Sequence, residues 1–171
     1  FVLRSLDKEG LTATLFSDRH ALFHMENTML YARLIEENYV DYNRVIPSET
    51  NFTLSMDAKA LLSSVRRVSL FANPITAQVV LTINKQFMEV KAEDIDYGGE
   101  GKEEIPCEFS GDEFIIGFNS RYLQNVLKHI DTGQVNMRLI RPDFAILLEP
   151  DSVPENETQL MLLMPIRLEN I

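Results

Sequence analysis

The sequence contains one cysteine, no tryptophan and no long apolar run. Because Cys107 stands alone, the chain can form neither an internal disulfide nor a cysteine metal cluster, which fits a reducing compartment. No apolar run approaches the roughly 20 residues of a membrane-spanning helix, and no basic-then-apolar signal segment stands at the front. We therefore expect a soluble, cytoplasmic protein without membrane contact.

Motifs for catalysis and for metal binding are also lacking. The glycine-bearing segment at residues 97–102 has no Ser or Thr after its lysine, unlike a phosphate-binding loop, and its acidic residues lack the spacing of a calcium loop. His20 and His24 would share a strand face but lie far apart for one metal ion. No nucleophile elbow places a serine. The sequence predicts a non-catalytic protein with no metal and no cofactor.

Basic residues are scarce overall, since 16 Lys and Arg stand against 26 Asp and Glu, and the formal net charge is −10. This balance argues against a protein that coats nucleic acid with its whole surface. Two segments with helical periodicity, residues 57–70 and 120–129, are exceptions. Each carries a net charge of +2, so the rest of the chain totals −14.

The basic residues of both segments fall on one side of the predicted helices. At about 100° per residue, Arg121 and Lys128 lie opposite the apolar positions, and Lys59, Arg66 and Arg67 cluster in the same way. Each helix is therefore predicted to expose a basic stripe without acids. One interpretation is an ordinary solvated face. The other is contact with phosphates, which requires a few positioned cations and no sequence readout.

A unit of one helix followed by two strands occurs three times, and such repetition decides the fold. The second copy joins residues 57–70 to strands at 78–83 and 87–90, and the third joins residues 120–129 to strands at 135–140 and 144–148. A first copy opens with Phe1, Val2 and Leu3 as the end of a helix, followed by strands at 11–16 and 21–25. This half-finished copy, and a first residue that is not Met, suggest an excerpt of a longer protein.

Many strand patterns and only two long helical patterns predict an α+β fold with helices on one face of an antiparallel sheet. Ser55 or Asp57 is expected to cap the first helix, and Asn119 or Ser120 the second. Residues 47–50, which are polar and begin with a proline, predict a boundary between two domains. Residues 92–106 are acidic and contain glycine, so they predict a solvated connection.

Two apolar segments, residues 41–47 and 162–168, leave two interpretations open. Both could be buried strand ends. Alternatively, they could form a groove at a domain joint, with apolar walls and an arginine at the rim, which would bind a short peptide.

Four motifs occur in the order of a known family. They are RLIEENYVDYNRVIP at residues 33–47, VRRVSL at 65–70, IGFNSRYL at 116–123 and MPIRL at 164–168. Together they span nearly the whole chain, which resembles the bacterial sliding clamp, the β subunit of DNA polymerase III. The resemblance implies a DNA-clamp fold with a curved sheet. It also implies that residues 1–47 end the clamp's middle domain and that residues 48–171 form its complete third domain.

The resemblance also implies a function. Such clamps are head-to-tail homodimers that encircle duplex DNA, tether the replicative polymerase for processivity, and dock clamp-loader and repair proteins through a peptide groove. The DNA-facing residues would be Lys59, Arg66, Arg67, Arg121 and Lys128. The peptide groove would include Val40, Arg44, Val45, Leu162, Met164, Pro165, Ile166, Arg167 and Leu168. Leu70 and Phe71 would lie at the ring interface.

The chain departs from the family in three places. Val40 stands where the family usually has proline, Glu169, Asn170 and Ile171 extend past the usual terminal leucine, and the acidic segment 93–104 is longer. We expect this chain alone to bind partner peptides weakly, if at all, and not to close a ring. Two alternatives remain: an acidic α+β interaction scaffold that does not bind DNA, and a hydrolase that uses its carboxylates.

Overall fold

The computed structural model describes residues 12–25, 27–39, 41–131 and 133–168. The chain divides into two compact units, Phe1–Asp41 and Tyr42–Ile171. The predicted helix end at Phe1, Val2 and Leu3 lies outside the described residues, as do Val40 and the extension Glu169, Asn170 and Ile171. In the described part of the chain, no helix is long and apolar enough to cross a membrane.

The first unit contains a three-stranded antiparallel sheet of β1 (Thr12–Phe16), β2 (His20–Met25) and β3 (Thr28–Arg33), in that order. The predicted hairpin is confirmed, because β1 pairs with β2 across the turn that begins at Ser17. β3 was not predicted. Its exposure alternates along the strand, but residues 29–32 are all apolar or aromatic, so the sequence shows no alternation that would identify a strand.

The second unit contains two helices and nine strands among the described residues. In chain order these are β4 (Phe52–Asp57), α1 (Ala58–Val68), β5 (Gln78–Asn84), β6 (Phe87–Asp94), β7 (Gly99–Pro106), β8 (Glu108–Phe109), β9 (Glu113–Asn119), α2 (Ser120–Leu127), β10 (Gln134–Leu139), β11 (Ile146–Pro150) and β12 (Met161–Leu163). Short 3-10 turns stand at Tyr42–Arg44 and, directly after α1, at Ser69–Phe71. The predicted α+β class is confirmed.

The two predicted helices begin where their capping residues stand. Asp57 accepts a hydrogen bond from the Ala60 amide at 2.6 Å, and Asn119 accepts from the Arg121 amide at 3.0 Å. Each side chain satisfies a backbone donor that the first helical turn leaves unpaired.

The repeats of the second unit exchange strands. The sheet orders are β12-β11-β10-β4-β8 and β7-β6-β5-β9, and the pairs are antiparallel. β4 precedes α1 but pairs with β10 after α2, whereas β9 precedes α2 but pairs with β5 after α1. Each repeat is therefore a strand, a helix and three strands, one strand longer at each end than the sequence predicted, and the short β8 lies between the repeats and pairs with β4.

The segment at residues 92–106, predicted as a solvated connection, is largely strand, so this prediction was wrong. β7 pairs with β6 from Gly99 opposite Asp94 to Pro106 opposite Phe87 and forms the edge of its sheet. Charged residues fill most of its outward positions, which is usual for an edge strand. Its inward positions are Gly99, Gly101 and Glu103 before Ile105, so the sequence shows no apolar alternation there.

One hydrophobic core joins both helices to both sheets of the second unit. Leu61 and Val65 of α1 and Leu123 of α2 are fully buried, together with Leu81 of β5 and Ile146 of β11. The helices thus bury the apolar faces that their periodicity predicted, and they leave the opposite faces exposed.

We expect Leu61→Ala to lower the free energy of unfolding by about 2–5 kcal/mol, because it opens a cavity in the core shared by both sheets. Chemical denaturation followed by circular dichroism measures the change. Leu70→Ala is the matched control, since Leu70 is 82% exposed just beyond the same helix and its loss should change stability little. Equal effects of the two substitutions would contradict this assignment of the core.

Candidate functional site

All five predicted DNA-facing residues are exposed in the structure. Lys59, Arg66 and Arg67 project from α1, Arg121 lies in the first turn of α2, and Lys128 directly follows α2. The helices lie side by side, and the Gln124 amide on α2 donates to the Ser69 hydroxyl just past α1 at 3.2 Å. The two basic stripes therefore belong to neighbouring helices.

Two of the five cations make contacts within the protein. Arg67 donates from Nε and from Nη2 to the two carboxylate oxygens of Glu103 on β7, both at 2.7 Å. Arg121 donates from Nη2 to the Pro74 carbonyl at 2.9 Å, which ties the start of α2 to the loop before β5. The other three, Lys59, Arg66 and Lys128, have no side-chain hydrogen bond or ion pair with another described residue.

The pair of Arg67 and Glu103 changes the proton affinity of both groups. The hydrogen bond from Arg67 lowers the pKa of the Glu103 carboxyl below its ordinary value, and the same hydrogen bond raises the pKa of Arg67. Glu103 is therefore a charged acceptor at neutral pH. Sequence reasoning missed this residue because it treated residues 92–106 as a solvated connection.

Residues from both predicted groove segments, 41–47 and 162–168, line one apolar pocket. Its volume is ≈ 260 Å³, and Asp143, Phe144 and Met164 lie in its wall. The remaining lining residues are Arg44, Val45, Ile46, Pro47 and Ala145. Met164 and Val45 are both more than two fifths exposed, so the pocket presents uncovered apolar side chains.

A second pocket, with a volume of ≈ 370 Å³, holds Arg167 and Leu168 together with Ile115 and Pro142. Asp143 lines both pockets, so they are neighbours. Its carboxylate accepts from Arg141 at 3.1 and 3.3 Å, and the Arg141 guanidinium lies 4.2 Å from the centre of the Phe144 ring. This contact fixes the wall of the first pocket.

The other predicted groove residues lie beside these pockets. Leu162 pairs with Leu147 in the sheet, and Pro165 follows Met164. The Ile166 amide donates to the Gly117 carbonyl at 2.8 Å, which attaches the last described segment to β9. A Cβ at Gly117 would lie 2.6 Å from a Leu168 methyl carbon, so the glycine makes room for Leu168. Val40 lies outside the described residues.

The predicted ring-interface residues lie on an exposed apolar corner. Leu70 is 82% exposed and Phe71 is 46% exposed. The Phe71 ring lies against the backbone of β7, where a Cβ at Gly101 would clash with it. Tyr97, which is also exposed, joins them around a pocket of ≈ 330 Å³.

The chain is similar to known proteins in sequence and in fold. A sequence model of the family described as DNA polymerase III beta subunit, C-terminal domain, matches residues 43–167. The beta sliding clamp of Synechocystis sp. is 27% identical over 99% of this chain and 43% of its own length. The beta sliding clamp of Lactococcus lactis is 31% identical over 88% of this chain and 40% of its own length.

Solved structures show the same likeness. The DNA polymerase III subunit beta from Pseudomonas aeruginosa matches with a TM-score of 0.84 at 23% identity, over 95% of this chain and 44% of that one. The sliding clamp from Bartonella birtlesii bound to griselimycin matches with a TM-score of 0.82 at 24% identity, over 92% of this chain and 41% of that one. These likenesses confirm the predicted DNA-clamp fold.

Because the family match covers most of the chain, the chain belongs to the family of the DNA polymerase III beta subunit, C-terminal domain. It spans 43% and 40% of the two curated relatives described above, so it corresponds to less than half of a relative's length.

We expect acid to weaken the contact between Arg67 and Glu103. Since the folded pKa of Glu103 lies below its unfolded value of about 4.3, the ion pair stabilises the fold above that pH and is lost as the pH falls through the folded pKa. Glu103→Gln should therefore show a smaller drop in Tm between pH 7 and pH 3 than the wild type. Thermal unfolding across this pH range measures it.

Glu104→Gln is the control, because Glu104 lies on the opposite face of β7 from Arg67. If both variants lose the same part of the pH dependence, the ion pair does not contribute to it.

Proposed function

We propose that this chain is part of a sliding clamp that encircles duplex DNA and tethers the replicative polymerase, conferring processivity. One observation carries the proposal: two neighbouring helices in an acidic protein expose basic side chains and no acids. Lys59, Arg66 and Lys128 would contact phosphates directly. Phosphate contact is blind to sequence and weak at physiological salt, which suits a protein that must slide.

The domain organisation is part of the same proposal. Residues 1–47 would end the middle domain, and residues 48–171 would be the complete third domain. Relatives more than twice as long, named beta sliding clamp, support this arrangement. In the full-length protein, Leu70 and Phe71 would meet a second copy head to tail, so that a homodimer closes around DNA. Their exposure on an apolar corner fits such a contact.

The two pockets that share Asp143 would form the groove for short clamp-binding peptides of the polymerase, the clamp loader and repair proteins. Arg44, Val45 and Met164 line one pocket, and Arg167 and Leu168 line the other. Apolar walls with charged residues at the edge suit a peptide that inserts one or two apolar side chains. Leu162, Pro165 and Ile166 would support these walls, and Val40 would contribute from upstream.

The proposed clamp acts without catalysis and without a cofactor, in the cytoplasm, where replication takes place in bacteria. Its work is to hold partners on DNA, which requires a ring, a peptide groove and loose phosphate contact.

The DNA contact is tested with the full-length protein loaded onto nicked circular DNA. We expect wild-type protein to stay on the circles in a salt-dependent manner. Replacing Lys59, Arg66 and Lys128 by Ala should remove about three phosphate contacts, and the slope of log K against log salt should fall by about 0.9 per contact. Gel filtration of the labelled circles measures retention, and duplex binding across salt concentrations measures the slope.

The matched comparison sets Lys59→Ala on α1, which should lower the slope by about 0.9, against a control variant, Lys102→Ala. Lys102 is an exposed cation on β7 and, like Lys59, forms no side-chain hydrogen bond or ion pair with another described residue. This control should retain the wild-type slope. Failure of the wild-type protein to stay on circles, or equal losses of slope in the Lys59 and Lys102 variants, would refute the clamp function and favour the scaffold.

The groove is tested by titrating the full-length protein into a fluorescently labelled clamp-binding peptide from the replicative polymerase of the same organism. Met164→Ala should weaken binding about tenfold, because it removes an apolar wall of the pocket. Met29→Ala is the control, since Met29 is 63% exposed in the other unit and Met164 is 55% exposed. Unchanged affinity in the Met164 variant would place the peptide elsewhere.

A further inference from the structure

Glu103 forms an ion pair with the guanidinium of Arg67, which is one of the five cations predicted to face DNA. We propose that Glu103 competes with DNA phosphates for Arg67, and that this competition sets how strongly α1 holds duplex DNA. The inference rests on the proposed clamp function and deepens it. It assigns a role to an acidic residue on the sheet beneath the helix.

The geometry of the pair is that of a bound phosphate. Nε and Nη2 of Arg67 each donate to a different oxygen of Glu103 at 2.7 Å. This two-pronged arrangement is the one by which arginine recognises carboxylates and phosphates alike. While Glu103 holds this edge of the guanidinium, the same edge cannot bind DNA.

The fold holds Glu103 more firmly than it holds Arg67. Glu103 lies on a paired strand, opposite Val90 of β6, and its side chain is 29% exposed. The Arg67 side chain is 60% exposed at the end of α1. The acid therefore stays with the sheet, and the arginine is the partner that would move if a phosphate replaced the carboxylate.

The neighbouring arginine provides an internal comparison. Arg66 is also exposed near the end of α1, and its side chain contacts no acid among the described residues. The Arg66 guanidinium is thus available to a phosphate, whereas the Arg67 guanidinium is already bonded to Glu103. Each phosphate that a protein neutralises adds about 0.9 to the slope of log K against log salt, so an occupied arginine reduces the salt-dependent hold on DNA.

The test measures binding of the full-length protein to a short labelled duplex, by fluorescence anisotropy, between 50 and 200 mM salt. Glu103→Gln should release Arg67 and steepen the slope by about 0.9, so that its affinity gain is about 3.5-fold larger at 50 mM than at 200 mM salt. Arg67→Ala in the wild-type background should leave the slope unchanged, whereas Arg66→Ala should lower it by about 0.9.

The double variant separates competition from a general change of charge. In the Arg67→Ala background, Glu103→Gln should bring no gain in slope, because no arginine is released. Glu104→Gln removes the same charge from the opposite face of β7 and should also leave the slope unchanged. Tm values for each variant verify that the fold is retained.

Three results would overturn the inference. One is an Arg67→Ala variant that lowers the slope as much as Arg66→Ala, since Arg67 would then already contact DNA. Another is a Glu103→Gln variant with the wild-type slope, since the ion pair would then only attach the helix to the sheet. The third is a gain from Glu103→Gln that persists without Arg67. Absence of DNA binding by the wild type would instead refute the proposed function, and the inference with it.

Discussion

The exchange of strands between the two repeats is the constraint on which the second unit depends. Because β4 pairs with β10 and β9 pairs with β5, each sheet is built from both repeats. A repeat alone would leave its strand edges unpaired and its helix with half a core. The exchange also brings α1 and α2 side by side, so the relative position of the two basic stripes follows from strand pairing.

Each helix uses its two faces for different purposes. The inner faces of α1 and α2 supply fully buried leucines to the common core, which leaves the outer faces free of packing demands. Charge can therefore vary with little cost to the fold at Lys59, Arg66 and Lys128, which have no side-chain partner among the described residues. Two residues of the basic stripes still make structural contacts, because Arg121 donates to the Pro74 carbonyl and Arg67 to Glu103 on the edge strand. A helical wheel counts all five cations as equal, whereas the structure separates Arg67 and Arg121, which contact other residues, from the three that have no side-chain partner among the described residues.

The features that the sequence predicted correctly are local ones. The amphipathic period of each helix and its cap, Asp57 or Asn119, depend on residues within one element or its neighbours, so their patterns are visible in the chain. The missed features depend on distant residues. Glu103 meets Arg67 across 36 positions, and β7 is a strand only because β6 pairs with it. The pocket at Asp143 likewise exists only once residues 44–47 and Met164 have come together.

Two residues at the end of α1 and their two contacts on the edge strand β7 are separated by similar distances. Arg67 and Phe71 are four residues apart, which is roughly 6–7 Å along a helix that tightens at its end, and Glu103 and Gly101 are two apart, about 6.6 Å along a strand. The ion pair therefore forms at one position while the Phe71 ring settles on the bare backbone of Gly101 at the next. Because alternate residues of β7 face the helix, Gly99, Gly101 and Ile105 join Glu103 there, while the strand's other acids point away. A strand rich in glutamate thus presents a single carboxylate to the basic helix, which makes Glu103 the one acid of β7 able to modulate that helix.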